Sequence, residues 1–383
     1  MKRFYIIVLT LLLVFALPFT VNAENTEEIV PFDVNAKSAV LMDAETGRIL
    51  YAKNSNEALP PASVTKVMTL LLIMEHIDSK KMSLADDVTV SEYAASMGGS
   101  QVFLEAGESL SCEDMLKSII ISSANDAAVA MAEAVCGTEE AFVKRMNERA
   151  KELNMTNTNF ENVTGLDDDT NNHLISAMDI AIASRELITK HPTILNYSCI
   201  WMDSIRNGEF GLTNTNRLIR FYKGATGLKT GSTDKAGFCI SATAKREELH
   251  LIAVIMGSET RDIRNEAAKA LLDYGFSNFA IYESENLQKE RLNLLKGDKK
   301  SFEIEMIPFS CLLEKNYRDS VEIKTEYKDI IKAPVKKGDI VGEATFLING
   351  KSIGRTPIVS CENVGMLGFF DVFLMMIRSF FLT

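Results

Sequence analysis

The stretch ATGLKTGSTDKAGFCISATAKREELHLIAVIMGSE, residues 225–259, contains three consecutive runs with the composition of β-strands. The runs lie around residues 228–232, 238–244 and 250–256, and short turn-forming segments separate them. A helical pattern, RDIRNEAAKALLDYGFSNF, follows at residues 261–279. This order predicts three sequential strands closed by a helix.

Further strands are predicted near the other end of the chain. SAVLMDAETGRILYAKN, residues 38–54, indicates a hairpin around a turn at Asp43–Gly47. The pattern between residues 78 and 200 is mainly helical. Early strands, a long helical insert and late strands predict an α/β domain of helix–sheet–helix type, with one antiparallel sheet built from both ends. We expect helices on both faces, with the helix at Ser63 packed against the sheet.

The pattern changes after residue 284. SFEIEMIPFSCL, SVEIKTEY and GDIVGEATFLINGKSIGRTPIVS alternate apolar and polar residues with a period of two, which is typical of strands. Asn349-Gly350 between two such runs is a strong hairpin signal. The sequence therefore predicts a first domain over residues 24–283 and a small all-β domain over residues 284–362.

Both ends of the chain carry apolar segments. Residues 1–23 combine basic Lys2 and Arg3, an apolar run and a small-residue cleavage site, which predicts a secretory signal peptide, with a signal anchor as the alternative. Residues 363–383 contain only two charges, Asp371 and Arg378, which share one face of a helix. We expect an amphipathic helix in the membrane interface, with a short transmembrane span as the alternative. The protein is thus expected outside the cytoplasmic membrane, attached to its outer face.

Composition excludes several classes of function. The formal net charge of −11 argues against nucleic-acid binding, which needs a basic surface. Four histidines without a metal-binding spacing favour neither a zinc site nor another metal or cofactor. Six cysteines lie far apart in the sequence, and we expect buried thiols for most of them: Cys112, Cys136, Cys199, Cys239, Cys311 and Cys361.

A lysine stands where an apolar helix would not need one. ALPPASVTKVMTLLLIMEHI, residues 58–77, becomes strongly apolar after two prolines, yet it places Lys66 three residues after Ser63. Residues at this spacing share a helical face, so the amine can reach the hydroxyl. Burial lowers the pKa of a lysine, and a neutral amine can accept the serine proton. Ser63 is therefore a candidate nucleophile and Lys66 its base, although helix capping alone would also explain a serine here.

Two further motifs agree with this interpretation. Ser123-Ala124-Asn125 lies between two helical patterns, and Lys229-Thr230-Gly231 lies on a predicted strand. Helix capping would explain the first motif alone and a solvated strand lysine the second, but their joint occurrence in this order is specific. Two similar patterns, one from Ser232 to Lys235 and one from Ser284 to Asn286, are expected by chance.

With these motifs in this order, the chain resembles the low-molecular-weight penicillin-binding proteins, which are serine D-alanyl-D-alanine carboxypeptidases. The resemblance covers nearly the whole chain, from signal peptide to tail. It implies a β-lactamase/transpeptidase-like fold and a peptidoglycan stem peptide ending in D-Ala-D-Ala as substrate. It also implies β-lactams as covalent inhibitors and no cofactor.

The resemblance also implies roles for single residues. Ser63 would form the acyl-enzyme with Lys66 as general base, and Ser123 would pass a proton to the leaving amine. Asn125 would bind the substrate backbone. Lys229 and Thr230 would hold the terminal carboxylate, and Gly231 would let the strand approach the substrate. The oxyanion hole would consist of the backbone N–H groups of Ser63 and Ser232.

Three alternatives remain open from the sequence. A secreted β-lactamase would share the fold, but it usually carries a glutamate in an ExxLN motif, which the segment around Glu161 lacks. A DD-endopeptidase would use the same residues on cross-links. A degenerate binding module would not need the complete set of polar side chains.

Overall fold

The computed structural model describes residues 32–168, 170–284, 290–370, 372–374 and 377. The predicted signal peptide over residues 1–23 lies outside the described residues. No helix within the described ranges is both long and apolar enough to cross a membrane.

The strands are numbered in chain order. They are β1 (Ser38–Asp43), β2 (Ile49–Lys53), β3 (Ala58–Leu59), β4 (Asp87–Thr89), β5 (Ser109–Ser111), β6 (Ile175–Ser176), β7 (Met202–Ile205), β8 (Phe210–Thr213), β9 (Ala225–Thr233), β10 (Gly237–Arg246), β11 (Leu249–Ser258), β12 (Phe279–Glu283), β13 (Glu290–Asn293), β14 (Ser301–Met306), β15 (Ser310–Glu314), β16 (Glu322–Tyr327), β17 (Ile340–Ile348) and β18 (Lys351–Ser360).

The α-helices are numbered in the same way. They are α1 (Lys66–Asp78), α2 (Glu92–Ala95), α3 (Cys112–Ile121), α4 (Asn125–Cys136), α5 (Glu139–Glu152), α6 (Ala177–Lys190), α7 (Leu195–Ser198), α8 (Leu218–Phe221) and α9 (Arg261–Asn278).

The main sheet has five antiparallel strands in the order β2-β1-β11-β10-β9. The central pairing joins the early hairpin to the late strands, with Val40 opposite Val254. This arrangement confirms the predicted sheet built from both ends of the domain. Strand β9 forms one edge of the sheet, so one side of its backbone faces away from the sheet.

The two faces of the sheet carry different helices. Along β1 the side chains alternate, so that Val40 joins the core under α6 while Leu41 packs against Gly275 of α9. Helices thus cover both faces, as predicted. The segment at Ser63 contacts the sheet as predicted, through the turn over Ala62–Thr65 that lies against β9 and β10, whereas the rest of α1 packs mainly against α6 and α4. The reason is its composition: a helix that is apolar all round is surrounded by other elements.

Side-chain caps fix where several helices of the insert begin. Ser111 accepts a hydrogen bond from Asp114 N before α3, and Ser176 accepts one from Asp179 N before α6. Gly137, with a positive φ of 85°, ends α4. At the junction between α3 and α4, which carries Ser123, the Ala124 N–H donates to the Ser118 carbonyl at 3.1 Å.

The C-terminal part contains a second five-stranded sheet, in the order β13-β14-β18-β17-β16, and a separate β12–β15 pair. Phe302 and Phe346 are fully buried in its core. Asn349 and Gly350 both have positive φ and join β17 to β18, which confirms the predicted hairpin. Strand β12 lies before the predicted boundary at residue 284 but pairs with β15.

The end of the chain only partly matches the predicted helix over residues 363–383. Val364 and Met366 instead form isolated bridges to Val335 and Gly297, and the described positions 369–370, 372–374 and 377 are helical. Glycines at 365 and 368 disfavour a helix in the first part of this segment. A membrane-bound tail helix stays a prediction.

The six cysteines, all within the described residues, form no disulfide bond with one another. Cys112 and Cys239 are buried, Cys199 is exposed, and the other three are half-buried. The prediction that most of the six thiols are buried is therefore wrong, because only two of them are.

Candidate active site

Ser63 and Lys66 meet at the start of α1. A 3₁₀ turn over Ala62–Thr65 precedes the helix and leaves the Ser63 side chain half-buried. Lys66 is fully buried, and its Nζ lies 3.0 Å from Ser63 Oγ. Lys66 Nζ also donates to Asn125 Oδ1 at 2.6 Å and to the Thr164 carbonyl at 2.8 Å. The amine is therefore held by neutral acceptors directly beside the candidate nucleophile.

A second serine–lysine pair faces the first. Ser123 lies between α3 and α4 with a positive φ of 64°, and its Oγ accepts a hydrogen bond from Lys229 Nζ at 2.7 Å. Lys229 is on β9 and is 1% exposed; its Nζ also donates to the Thr230 carbonyl at 3.0 Å. The three sequence motifs, which are far apart in the chain, converge on one place.

Burial lowers the pKa of both lysines. The pKa of Lys66 falls well below 10.5, first because the amine is desolvated and second because the charge of Lys229 repels its protonated form. Asp126 acts in the opposite direction. Burial, followed by repulsion from Arg264, lowers the pKa of Lys229 to about 7. A neutral Lys66 can accept a proton from Ser63.

Strand β9 forms one wall of the site. A Cβ at Gly231 would lie 2.7 Å from Ser63 N, so only glycine allows this close approach of strand and nucleophile. Thr230 Oγ1 donates to Thr215 Oγ1 at 2.8 Å, and Ser232 is exposed. Along β9, buried Lys229 is thus followed by Gly231, which lies beside Ser63, and then by exposed Ser232.

Several contacts of the site were not predicted. The side-chain amides of Asn214 and Asn216 donate to the carbonyls of Ile200 and Gly227. Thr215 between them makes the contact to the site. No local sequence pattern distinguishes Thr215 from its neighbours.

A buried histidine supports the nucleophile from behind. His173 Nδ1 accepts the Glu161 N–H, so its Nε2–H donates to Thr65 Oγ1 at 2.8 Å. Thr65 Oγ1 in turn donates to the Ala62 carbonyl at 2.8 Å. Burial lowers the pKa of His173 to about 4, which keeps this ring neutral at physiological pH. The chain of bonds fixes Ala62, which has a positive φ of 48° just before Ser63.

Gly165 packs directly against the turn over Ala62–Thr65, and we expect Gly165→Ala to be strongly destabilising. The added Cβ would lie 1.8 Å from the Ala62 oxygen, at a residue whose φ is +81°. We expect the free energy of unfolding in a denaturant titration to fall by about 3 kcal/mol. Gly107→Ala is the matched control, because Gly107 has the same φ but open space around it, and it should cost about 1 kcal/mol. Equal losses in the two variants would contradict the steric argument.

The arrangement suits nucleophilic acyl transfer. A half-buried hydroxyl contacts an amine of lowered pKa, and a second hydroxyl is held by another buried amine. In the part of the chain that the structure describes, no group of three or more His, Cys, Asp or Glu side chains is placed to hold a metal ion.

Comparison with known proteins agrees with these features. The family model for D-alanyl-D-alanine carboxypeptidase matches residues 22–260, and that for the C-terminal domain of penicillin-binding protein 5 matches residues 276–365. D-alanyl-D-alanine carboxypeptidase DacF of Bacillus subtilis strain 168 is 43% identical over 341 residues, which cover 87% of each chain.

Solved structures show the same similarity. Penicillin-binding protein 5 from Haemophilus influenzae superposes with a TM-score of 0.71 at 29% identity, covering 88% of this chain and all of that one. Penicillin-binding protein D2 from Listeria monocytogenes, in its ampicillin-bound form, has a TM-score of 0.57 at 30% identity and covers 64% of this chain and 99% of its own. The chain therefore belongs to the D-alanyl-D-alanine carboxypeptidase family, the low-molecular-weight penicillin-binding proteins.

Proposed function

We propose that Ser63 is the nucleophile of this enzyme, a serine D-alanyl-D-alanine carboxypeptidase that acts on peptidoglycan. The observation that carries the proposal is the 3.0 Å contact between the Lys66 amine and the Ser63 hydroxyl inside a buried site. The substrate is a stem peptide ending in D-Ala-D-Ala, and the product is the peptide without its last D-alanine.

Acylation begins when neutral Lys66 takes the proton from Ser63. The Ser63 oxygen attacks the carbonyl carbon between the two D-alanines, and the C–N bond then breaks. The leaving amine receives a proton from Ser123, which Lys229 can replenish because its pKa is about 7 and its Nζ is 2.7 Å away. Water then attacks the ester carbonyl, one of its protons returns to the Ser63 oxygen as the ester C–O bond breaks, and the shortened peptide leaves as a carboxylate. The proton held by Lys66 restores Lys229, and the proton of the new carboxyl group goes to the amino group of the released D-alanine, so both lysines regain their starting states.

Substrate binding uses the free edge of β9. An extended peptide would add to this edge as a further strand, with its terminal carboxylate at Lys229 and Thr230. Asn125 would bind the substrate backbone through the second N–H of Nδ2, because the first N–H donates to the Gly98 carbonyl at 2.7 Å. The backbone N–H groups of Ser63 and Ser232 would hold the oxyanion.

β-Lactams would acylate Ser63 in the same way and hydrolyse slowly. The ampicillin-bound form of the Listeria protein supports this part of the proposal. Efficient β-lactamase action is disfavoured, because the exposed Glu161 carboxylate already accepts the backbone N–H groups of Asn171 and Asn172 at 3.0 Å. The complete set of polar contacts at Ser63 and Ser123 disfavours a degenerate binding module.

Export and membrane attachment are part of the proposal. The predicted signal peptide over residues 1–23 would direct secretion, and the tail after residue 362 would hold the enzyme at the outer face of the cytoplasmic membrane. Exposed Phe369, Phe370 and Phe373 support attachment through the tail. Between these ends we propose a catalytic domain over residues 24–283 and a β domain over residues 284–362.

The direct test is release of D-alanine from a pentapeptide ending in D-Ala-D-Ala by the detergent-purified protein. Enzyme treated beforehand with benzylpenicillin is the control, and it should release none. A cross-linked dimeric peptide and a chromogenic cephalosporin, assayed in parallel, distinguish endopeptidase and β-lactamase action. Faster turnover of either than of the pentapeptide would contradict the proposed preference.

A further inference from the structure

One backbone segment outside the three sequence motifs accepts two hydrogen bonds from Asn125. The segment spans residues 98–104, GGSQVFL. The Gly98 carbonyl accepts from Asn125 Nδ2, and the Ser100 carbonyl accepts from Asn125 N, both at 2.7 Å. Since Asn125 Oδ1 accepts from Lys66, the position of this segment sets the orientation of the amide beside the base.

Asp126 anchors that segment. Its carboxylate Oδ2 accepts the N–H groups of Val102 and Leu104, each at 3.1 Å, and its Oδ1 accepts the Ala127 N–H at 2.9 Å. Asp126 is only 1% exposed and lies in the first turn of α4, where the helix dipole favours a negative charge. The carboxylate is therefore buried as an acceptor of main-chain donors and remains close to the site.

Asp126 also balances the positive charge of the site. Lys66 faces Lys229 on β9, which lowers its pKa, and Asp126 on α4, which raises it. Asp126 also interacts electrostatically with Arg206, which pairs with Glu108 and interacts with Glu105. The charge beside the base thus depends on one carboxylate that makes no direct bond to it among the described contacts.

We propose that Asp126 is a positioning residue for acyl transfer with two roles. It anchors the 98–104 segment, so that the Asn125 amide stays oriented toward Lys66. Its carboxylate also supplies the negative charge that balances the two buried lysines. The inference rests on the proposed roles of Ser63 and Lys66. From the sequence alone, Asp126 would be explained as an acidic residue in the first turn of a helix, and the proposal gives it a further role.

Arg206 provides a matched control for the anchoring alone. Its guanidinium donates to the carbonyls of Val102 and Phe103 at 2.9 and 3.0 Å, and it pairs with Glu108 at 2.6 Å. Arg206→Lys keeps the positive charge but loses this fork of donors. It should loosen the same segment without changing the charge beside Lys66.

The experiment measures the second-order rate constant for acylation by a fluorescent penicillin between pH 4 and 10, with the full chain in detergent. For Asp126→Asn we expect the highest rate constant, on the plateau of the pH profile, to fall by about tenfold. We also expect the acidic limb of the profile to move down by about one pH unit, because protonated Lys66 loses an attractive charge. For Arg206→Lys we expect a lower plateau with an unmoved limb. Asp126→Glu, which keeps the charge, should restore the position of the limb.

Circular dichroism establishes that each variant is folded. An Asp126→Asn plateau equal to that of the wild type, or a lower plateau with an unmoved limb, would overturn the proposal. If Asp126→Asn does not fold, Asp126→Ser is judged by the same two criteria, and an unchanged plateau in Arg206→Lys overturns the anchoring by itself. Failure of the wild type to be acylated would instead count against the proposed function.

Discussion

Ser63→Ala is expected to abolish both release of D-alanine and covalent labelling by fluorescent penicillin. The hydroxyl is the atom that becomes the ester, and Lys66, its contact at 3.0 Å, cannot take over that step as a nucleophile without losing its role as base. We expect kcat/KM to fall by at least about 10⁴-fold. Because the side chain is half-buried and loses one hydrogen bond, the free energy of unfolding should change by only about 1 kcal/mol.

Ser79→Ala is the matched control for this loss. Ser79 is exposed just beyond the other end of α1, so its removal leaves the site untouched. The control should be labelled at the wild-type rate, and mass spectrometry of the labelled wild type should find the adduct on the peptide that contains Ser63. A covalent adduct in folded Ser63→Ala would show that another residue is the nucleophile.

Local spacing explains why part of the site could be predicted. Ser63 and Lys66 are one helical turn apart, so their contact depends on local backbone geometry alone. The hairpin at Asn349-Gly350 likewise follows from residues that tolerate positive φ. The alternation of Val40 and Leu41 reflects the period of a strand, which is visible before any tertiary structure is known.

Long-range contacts explain what could not be predicted. Thr164 accepts the hydrogen bond of Lys66 through its main-chain carbonyl. Every residue has this group, so the identity of the side chain does not reveal the contact. His173 reaches Thr65 across 108 positions of sequence, and nothing near it marks a site residue. Asp126 resembles any acidic residue in a helix's first turn, a position that needs no further explanation. In each case the role comes from packing between distant elements.

Substitution of Lys66 is expected to have the second large effect. Lys66→Met keeps much of the side-chain volume but removes the base, so acylation by fluorescent penicillin should slow by at least about 10³-fold at neutral pH. It also leaves the acceptors of Asn125 and Thr164 without their present donor. Binding of a penicillin before the covalent step, measured from the concentration dependence of labelling, should change less than the rate of that step.

Lys66→Arg separates proton transfer from charge. The folded protein holds the pKa of Lys66 well below 10.5, whereas an arginine stays protonated at every accessible pH. If Lys66 acted only as a positive charge, the arginine variant would be labelled nearly as fast as the wild type. We expect it to be as slow as Lys66→Met between pH 6 and 9, with both variants folded by circular dichroism. If Lys66→Arg were labelled as fast as the wild type, Lys66 would be ruled out as the general base. Another group would then have to accept the proton of Ser63.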